Sequence, residues 1–183
     1  DSNHRVSEVL RTAGRSTESL AASRQGIEFQ SRLGAGTELG TMILSLAKTL
    51  QEIESFDQAL AEYKKAAQIF ELKRDTVNLS VAIHQSGNVH YEMGNEELAL
   101  EAYGKALEYR KRIQDSKGIA SLYHNIGILY RGRGDLERAL EYYNRSLAIK
   151  EELEDAPGLA HTYAAVALVH AAQKNFVAAH ENI

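Results

Sequence analysis

The chain carries seven histidines and no cysteine, so imidazole is its main candidate for metal ligation or proton transfer. A metal held on one helix needs two ligands spaced i, i+4, with nitrogens about 2 Å from the ion. His84 and His124 instead lie one 40-residue step apart and His90 and His170 two such steps apart, which places each on a different element. No metal site is expected from them. No serine, histidine and acid set and no carboxylate pair is singled out by spacing, so no catalytic residue and no cofactor is assigned. The lack of cysteine also excludes disulfides, thiolate metal sites and a cysteine nucleophile, and fits a reducing, cytoplasmic compartment.

Three further motifs have simpler explanations. Gly34-Ala35-Gly36 with Gly40 imitates a dinucleotide-binding loop, but its spacing is G-x-G-x-x-x-G and a helix precedes it where that fingerprint needs a strand. It is read as a loop between repeats. Arg133-Gly134-Asp135 spells an integrin-type tripeptide, yet it coincides with a predicted turn between two helices. Asn78-Leu79-Ser80 and Asn144-Arg145-Ser146 fit the glycosylation pattern but lie on or beside predicted helices in a chain with no visible signal peptide, so both are read as chance matches.

The elements that must position any functional side chain are helices repeated at a fixed period. Laid out in steps of 40 residues, Gly134 falls on Gly94 and Gly14, Leu140 on Leu100, Leu60 and Leu20, and Tyr143 on Tyr103 and Tyr63. Ala139 falls on Ala99, Ala59 and Ala179, and Gly127 on Gly87, Ala47 and Ala167. Self-similarity at such a period marks a solenoid, whose units bury their apolar faces by stacking on neighbours. One proline and two long apolar-periodic segments per unit make the fold all-helical. The expected units are a partial one at 1–37, full ones at 38–77, 78–117 and 118–157, and a partial one at 158–183. They form a single array of about four and a half repeats.

Within residues 118–157, Ile119, Leu122, Tyr123, Ile126, Leu129 and Tyr130 recur at spacings of three and four and predict a first helix over about 117–132. Gly134 stops it in the left-handed conformation and Asp135 caps a second helix over about 136–153. The same punctuation is expected at Gly94-Asn95, Glu54-Ser55 and Lys174-Asn175, with Ser55 and Gln58 as a capping box. In the first unit, helices are expected over about 2–13, with Val6, Val9 and Leu10 in phase, and over 16–33. The tyrosine at 63, 103 and 143 is expected in the core, filling the space between one hairpin and the next.

Tyr123, Ile126, Gly127 and Tyr130, followed by Gly134, Ala139, Tyr143 and Ser146, resemble the tetratricopeptide repeat. The long second helix ending in Asp115-x-x-Gly118 or Asp155-x-x-Gly158 resembles its 40-residue variant, found in scaffold proteins of the Pins type and in bacterial signalling proteins. The resemblance implies a right-handed α-solenoid of antiparallel hairpins, with the first helices lining a concave groove. The groove positions map onto His84, Gln85, Asn88 and Tyr91, then His124, Asn125, Ile128 and Arg131, then His161, Ala164, Ala165 and Leu168; Leu44, Ser45, Lys48 and Gln51 belong to the preceding unit. Asn88 and Asn125 match the asparagines of the chaperone-type carboxylate clamp, while His84, His161 and Ala165 stand where its cations are expected.

Net charge is −4, from 21 basic and 25 acidic residues, so there is no basic field to attract nucleic acid or an anionic membrane. No apolar run approaches the roughly 18 residues of a membrane span. Asp1 in place of Met points to a processed chain or an excised fragment. The expectation is a non-enzymatic module that binds a peptide or helix of another protein through His84, Gln85, Asn88, Tyr91, His124, Asn125, Ile128, Arg131 and His161. The alternatives are a homo-oligomeric assembly unit associating through uncapped terminal repeats, or the regulatory arm of a larger signalling protein.

Overall fold

The computed structural model describes Leu20, residues 24–28, Ser31 and residues 36–181, with side chains described through Lys174. The expectations for residues 2–13, for Gly14 and for Gly34-Ala35, and most of the helix expected over 16–33, lie outside the described residues. The chain divides into two compact units, one ending at Gly94 and one beginning at Asn95. The first holds α1 (Thr37–Glu52), α2 (Phe56–Leu72) and α3 (Thr76–Glu92). The second holds α4 (Glu96–Arg112), α5 (Ser116–Gly132), α6 (Leu136–Glu152) and α7 (Ala156–Glu181). α5 and α6 thus fall within one residue of the ranges that periodicity gives them, about 117–132 and 136–153.

Each unit is built on a small residue facing a large ring. A Cβ added to Gly127 on α5 would come within 2.7 Å of two ring carbons of Tyr143 on α6, so a side chain there would force the ring or the helix to shift. Tyr143 is fully buried and also packs with Ala139, Ala165 and Val169, so it fills the space between its own hairpin and α7, as expected. In the first unit Tyr63 does the same with Ala47, Leu46, Leu50, Ala59 and Val89. Burying one such side chain contributes about 2–3 kcal/mol. Gly40, read above as part of a loop, is instead buried within α1, where a Cβ would meet the Phe70 ring at 2.6 Å. Its role is close packing.

The turns show a regularity that composition concealed. Glu54, Arg74, Gly94, Gln114, Gly134 and Glu154, spaced every 20 residues, all have φ between 52° and 78°. At Glu54, Arg74, Gln114, Gly134 and Glu154 the helix closes with a six-to-one backbone bond, such as Ser55 N–H to Leu50 O at 2.8 Å and Asp155 N–H to Lys150 O at 2.9 Å. The side chains of Asp75, Asp115, Asp135 and Asp155 then accept from the amide three residues on, starting the next helix. Only two of the six left-handed positions are glycine; of the other four, Arg74, Gln114 and Glu154 are each followed by a capping aspartate, and Glu54 is not. Replacing Glu54 by glycine is expected to stabilise the protein by up to about 1 kcal/mol, measured as a shift in the urea midpoint. No gain would mean that Glu54 makes a compensating contact.

Two local expectations fail. Ser55 makes no side-chain cap bond, so the Ser55-Gln58 capping box does not form. The break expected at Lys174-Asn175 does not occur either, since α7 continues as one helix to Glu181. Neither residue there is glycine, and a continuous helix retains its backbone bonds without a left-handed residue.

Candidate partner-binding faces

The 40-residue register puts matching positions on the exposed side of each first helix, and in each unit they form a separate face. In the first unit Ser45, Lys48 and Gln51 on α1 correspond to Gln85, Asn88 and Tyr91 on α3. Lys48 and Tyr91 are exposed, whereas Gln51, Gln85 and Asn88 are half-buried. The Asn88 amide donates to Gln85 Oε1 at 2.7 Å, which orients both side chains along α3. Between these helices lies an open cleft of about 630 Å³ lined by Lys48, Gln51, Glu52, Glu54, Phe56, Gln85 and Glu92.

A chain of hydrogen bonds rises from the core into this cleft. The buried Tyr63 hydroxyl donates to Gln51 Oε1 at 2.9 Å, and the Gln51 amide donates to Glu92 Oε1 at 2.7 Å. Burial, followed by the charges of Glu92 and Glu52, pushes the Tyr63 hydroxyl well above the usual phenol range. The glutamine is therefore fixed by a donor behind it and an acceptor before it. The period pointed to Tyr63 and Gln51 separately; that they bond each other follows only from the packing of α2 on α1.

In the second unit Asn125, Ile128 and Arg131 on α5 are half-buried, with Ile128 packed against the Tyr143 cluster. His161, Ala164 and Leu168 on α7 are exposed, and Leu168 keeps 56% of its surface. Three positions expected on the exposed side are buried instead: His84 at 8%, His124 at 4% and Ala165 at 8% exposure. The helices are rotated so that the residue before each half-buried Gln85 or Asn125 turns inward. Neither buried histidine is presented to a ligand at the surface.

His124 belongs to a buried polar cluster. Its Nδ1 lies 3.1 Å from Thr162 Oγ1, which accepts from Lys150 Nζ at 2.7 Å, while Lys150 also donates to Gly158 O at 3.2 Å. The ring sits 4.5 Å from that of His161 and 5.4 Å from that of Tyr143. Burial, then the charges of Lys150, His161 and Arg131, lower its pKa to about 4. It is a neutral core imidazole at physiological pH. Lys150 itself occupies the register position of Arg110, and both are buried beside the aspartate that caps the following helix. Gly118 is small because the Arg110 guanidinium lies where its Cβ would be.

The tripeptide Arg133-Gly134-Asp135 is occupied by the fold. Arg133 pairs with Glu96 at 2.7 Å and Glu97 at 2.8 Å, Gly134 supplies the left-handed turn, and Asp135 caps α6. Among the described residues no three His, Cys, Asp or Glu gather to hold a metal, and no helix is long and apolar enough to cross a membrane.

The tetratricopeptide repeat family model matches residues 38–112, 78–152 and 118–182, three windows offset by 40 residues each. No curated protein matches the chain in sequence. Among solved structures, BtubC from P. vanneervenii is 22% identical with a TM-score of 0.79, covering 93% of this chain and 71% of its own. The Rap conjugation gene regulator of plasmid pLS20, in complex with the Phr* peptide, is 21% identical at a TM-score of 0.70, covering 85% and 43%. The TPR2AB domain of yeast Sti1, in complex with pHSP90, is 23% identical at 0.66, covering 79% and 51%. This chain thus spans about half or less of the length of the last two.

Proposed function

Because the chain belongs to the tetratricopeptide repeat family, we propose that it is a non-catalytic interaction module that holds a peptide or helix of a partner protein against its first-helix faces. The observation that carries this is the repeated half-buried amide on those faces, Gln85 with Asn88 in one unit and Asn125 in the other. An amide offers both a donor and an acceptor, so it can bond the backbone of a bound segment without dictating its sequence. Partial burial holds that amide in place and lowers the entropy lost on binding. Arg131 supplies a planar cation for an acidic group, and Tyr91 and Ile128 supply apolar contact. The solved complexes of the Rap regulator with Phr* and of Sti1 with pHSP90 support a peptide or protein ligand.

His84 and His124 leave the contact set, since both are buried. His161 stays in it as an exposed ring at the edge of the second unit's face. The affinity expected of such a surface is on the order of micromolar.

The test begins with displayed 12-residue peptides selected on the whole chain. Replacing Asn88, Asn125 and Arg131 together by alanine is expected to abolish binding of the selected peptides, read by calorimetric titration, while far-ultraviolet circular dichroism stays unchanged. Undiminished binding to the triple variant would remove these faces from the proposal.

A further inference from the structure

The cleft of the first unit has a chemical character of its own. Its carboxylates come from two stretches, Glu52 and Glu54 at the end of α1 and in the turn after it and Glu92 at the end of α3, and they line it together with one cation, Lys48. Its volume of about 630 Å³ lies within the range of clefts that seat ligands. Phe56 lines the cleft and offers a ring for an aliphatic stem or a guanidinium plane. Gln51, anchored from behind by Tyr63, uses one oxygen of Glu92, and the carboxylate is held in position by that bond.

These features select among occupants. An anion would meet three carboxylates, and an anionic membrane surface is disfavoured by the same charge. A divalent metal requires gathered ligands, which the described residues do not provide. What fits is a single positive charge at the end of a long apolar stem.

We infer that the cleft of the first unit seats a lysine or arginine side chain of the partner segment, so that this face selects basic sequence. The inference rests on the interaction reading above and names the partner's chemistry at one position. Gln51 and Gln85 lie on the binding face already described, so a segment running along α1 and α3 passes the mouth of the cleft. Lys48 on its rim disfavours a second basic residue next to the seated one.

The test uses the full chain labelled with nitrogen-15 and, as probes, tetra-arginine and tetra-glutamate peptides blocked at both ends. Tetra-arginine is expected to shift the backbone amides of residues 48–56 and the side-chain amides of Gln51 and Gln85 in a saturable way. Glu52→Gln with Glu92→Gln should weaken that binding about three- to tenfold, and tetra-glutamate should leave these signals unmoved. Glu54→Gln, an exposed change, should weaken it in the same direction should the double variant fold poorly. Shifts spread evenly over the acidic surface, or binding indifferent to these substitutions, would overturn the inference. Selected peptides that bind through Asn88 and Asn125 but show no preference for a basic residue at this cleft would also remove it, and would leave the interaction reading standing. Tetra-arginine seated in the cleft, with no selected peptide depending on Asn88, Asn125 and Arg131, would remove the interaction reading instead.

Discussion

Tyr143→Ala is expected to lower the stability of the protein by about 3 kcal/mol or more in urea denaturation. The ring is wholly buried between α5, α6 and α7, where it touches Gly127, Ala139, Ala165 and Val169. Truncating it removes the transfer energy of the side chain and leaves a void that three rigid helices do not readily fill. A second substitution separates this account from a general loss of surface. In the native protein Gly127→Ala should destabilise by about 1–3 kcal/mol, because its new Cβ meets the tyrosine ring at 2.7 Å. In the Tyr143→Ala background the ring is gone, and the same change should become neutral or favourable by up to about 1 kcal/mol through helix propensity. Additive costs in the double variant would show that the two residues do not share the contact.

Acid should destabilise the second unit through His124. The imidazole has a folded pKa of about 4, below its ordinary 6.5, because burial and the nearby Lys150, His161 and Arg131 all oppose a further positive charge. Between those values the unfolded chain binds more protons than the folded one, so stability rises with pH across the window. The contribution is complete above about pH 6.5 and is lost as pH falls toward 4. At pH 4.5 the linkage amounts to about 2.5 kcal/mol. His124→Gln lacks the titrating group, so the stability lost between pH 7.5 and 4.5 should be smaller in the variant by about that amount. Equal losses in the two proteins would mean that His124 is protonated in the native fold.

These two residues illustrate how unevenly the sequence announces the structure. Tyr143 and Gly127 were legible because the repeat brings the same ring and the same small residue back every 40 positions, and a packing constraint shared by all units leaves that signature. The helix ends expected at about 132 and 153, observed at Gly132 and Glu152, were legible for the same reason. His124 was not, because a period says which residues are equivalent without fixing the rotation of the helix. One residue of rotation decides whether a position lines a face or enters the core, and it carries His84 and His124 inward while leaving Gln85 and Asn125 half-exposed.

The left-handed turns at Arg74, Gln114 and Glu154 were also silent, since none is glycine. The useful signal was the aspartate one position later, which caps the next helix. Within the first cleft, Glu52, Glu54 and Glu92 read individually as solvated charges on helix ends. The approach of Glu92 to Glu52 and Glu54 depends on the packing of α3 beside α1, which is a tertiary property.

The most direct test of the interaction reading is the hydrogen-exchange footprint of a selected peptide on the whole chain at saturating concentration. Slowed exchange is expected on α3 around Gln85, Asn88 and Tyr91 and on α5 around Asn125, Ile128 and Arg131, with α2 and α6 unchanged. Protection confined to α2 and α6, with α3 and α5 unaltered, would contradict it.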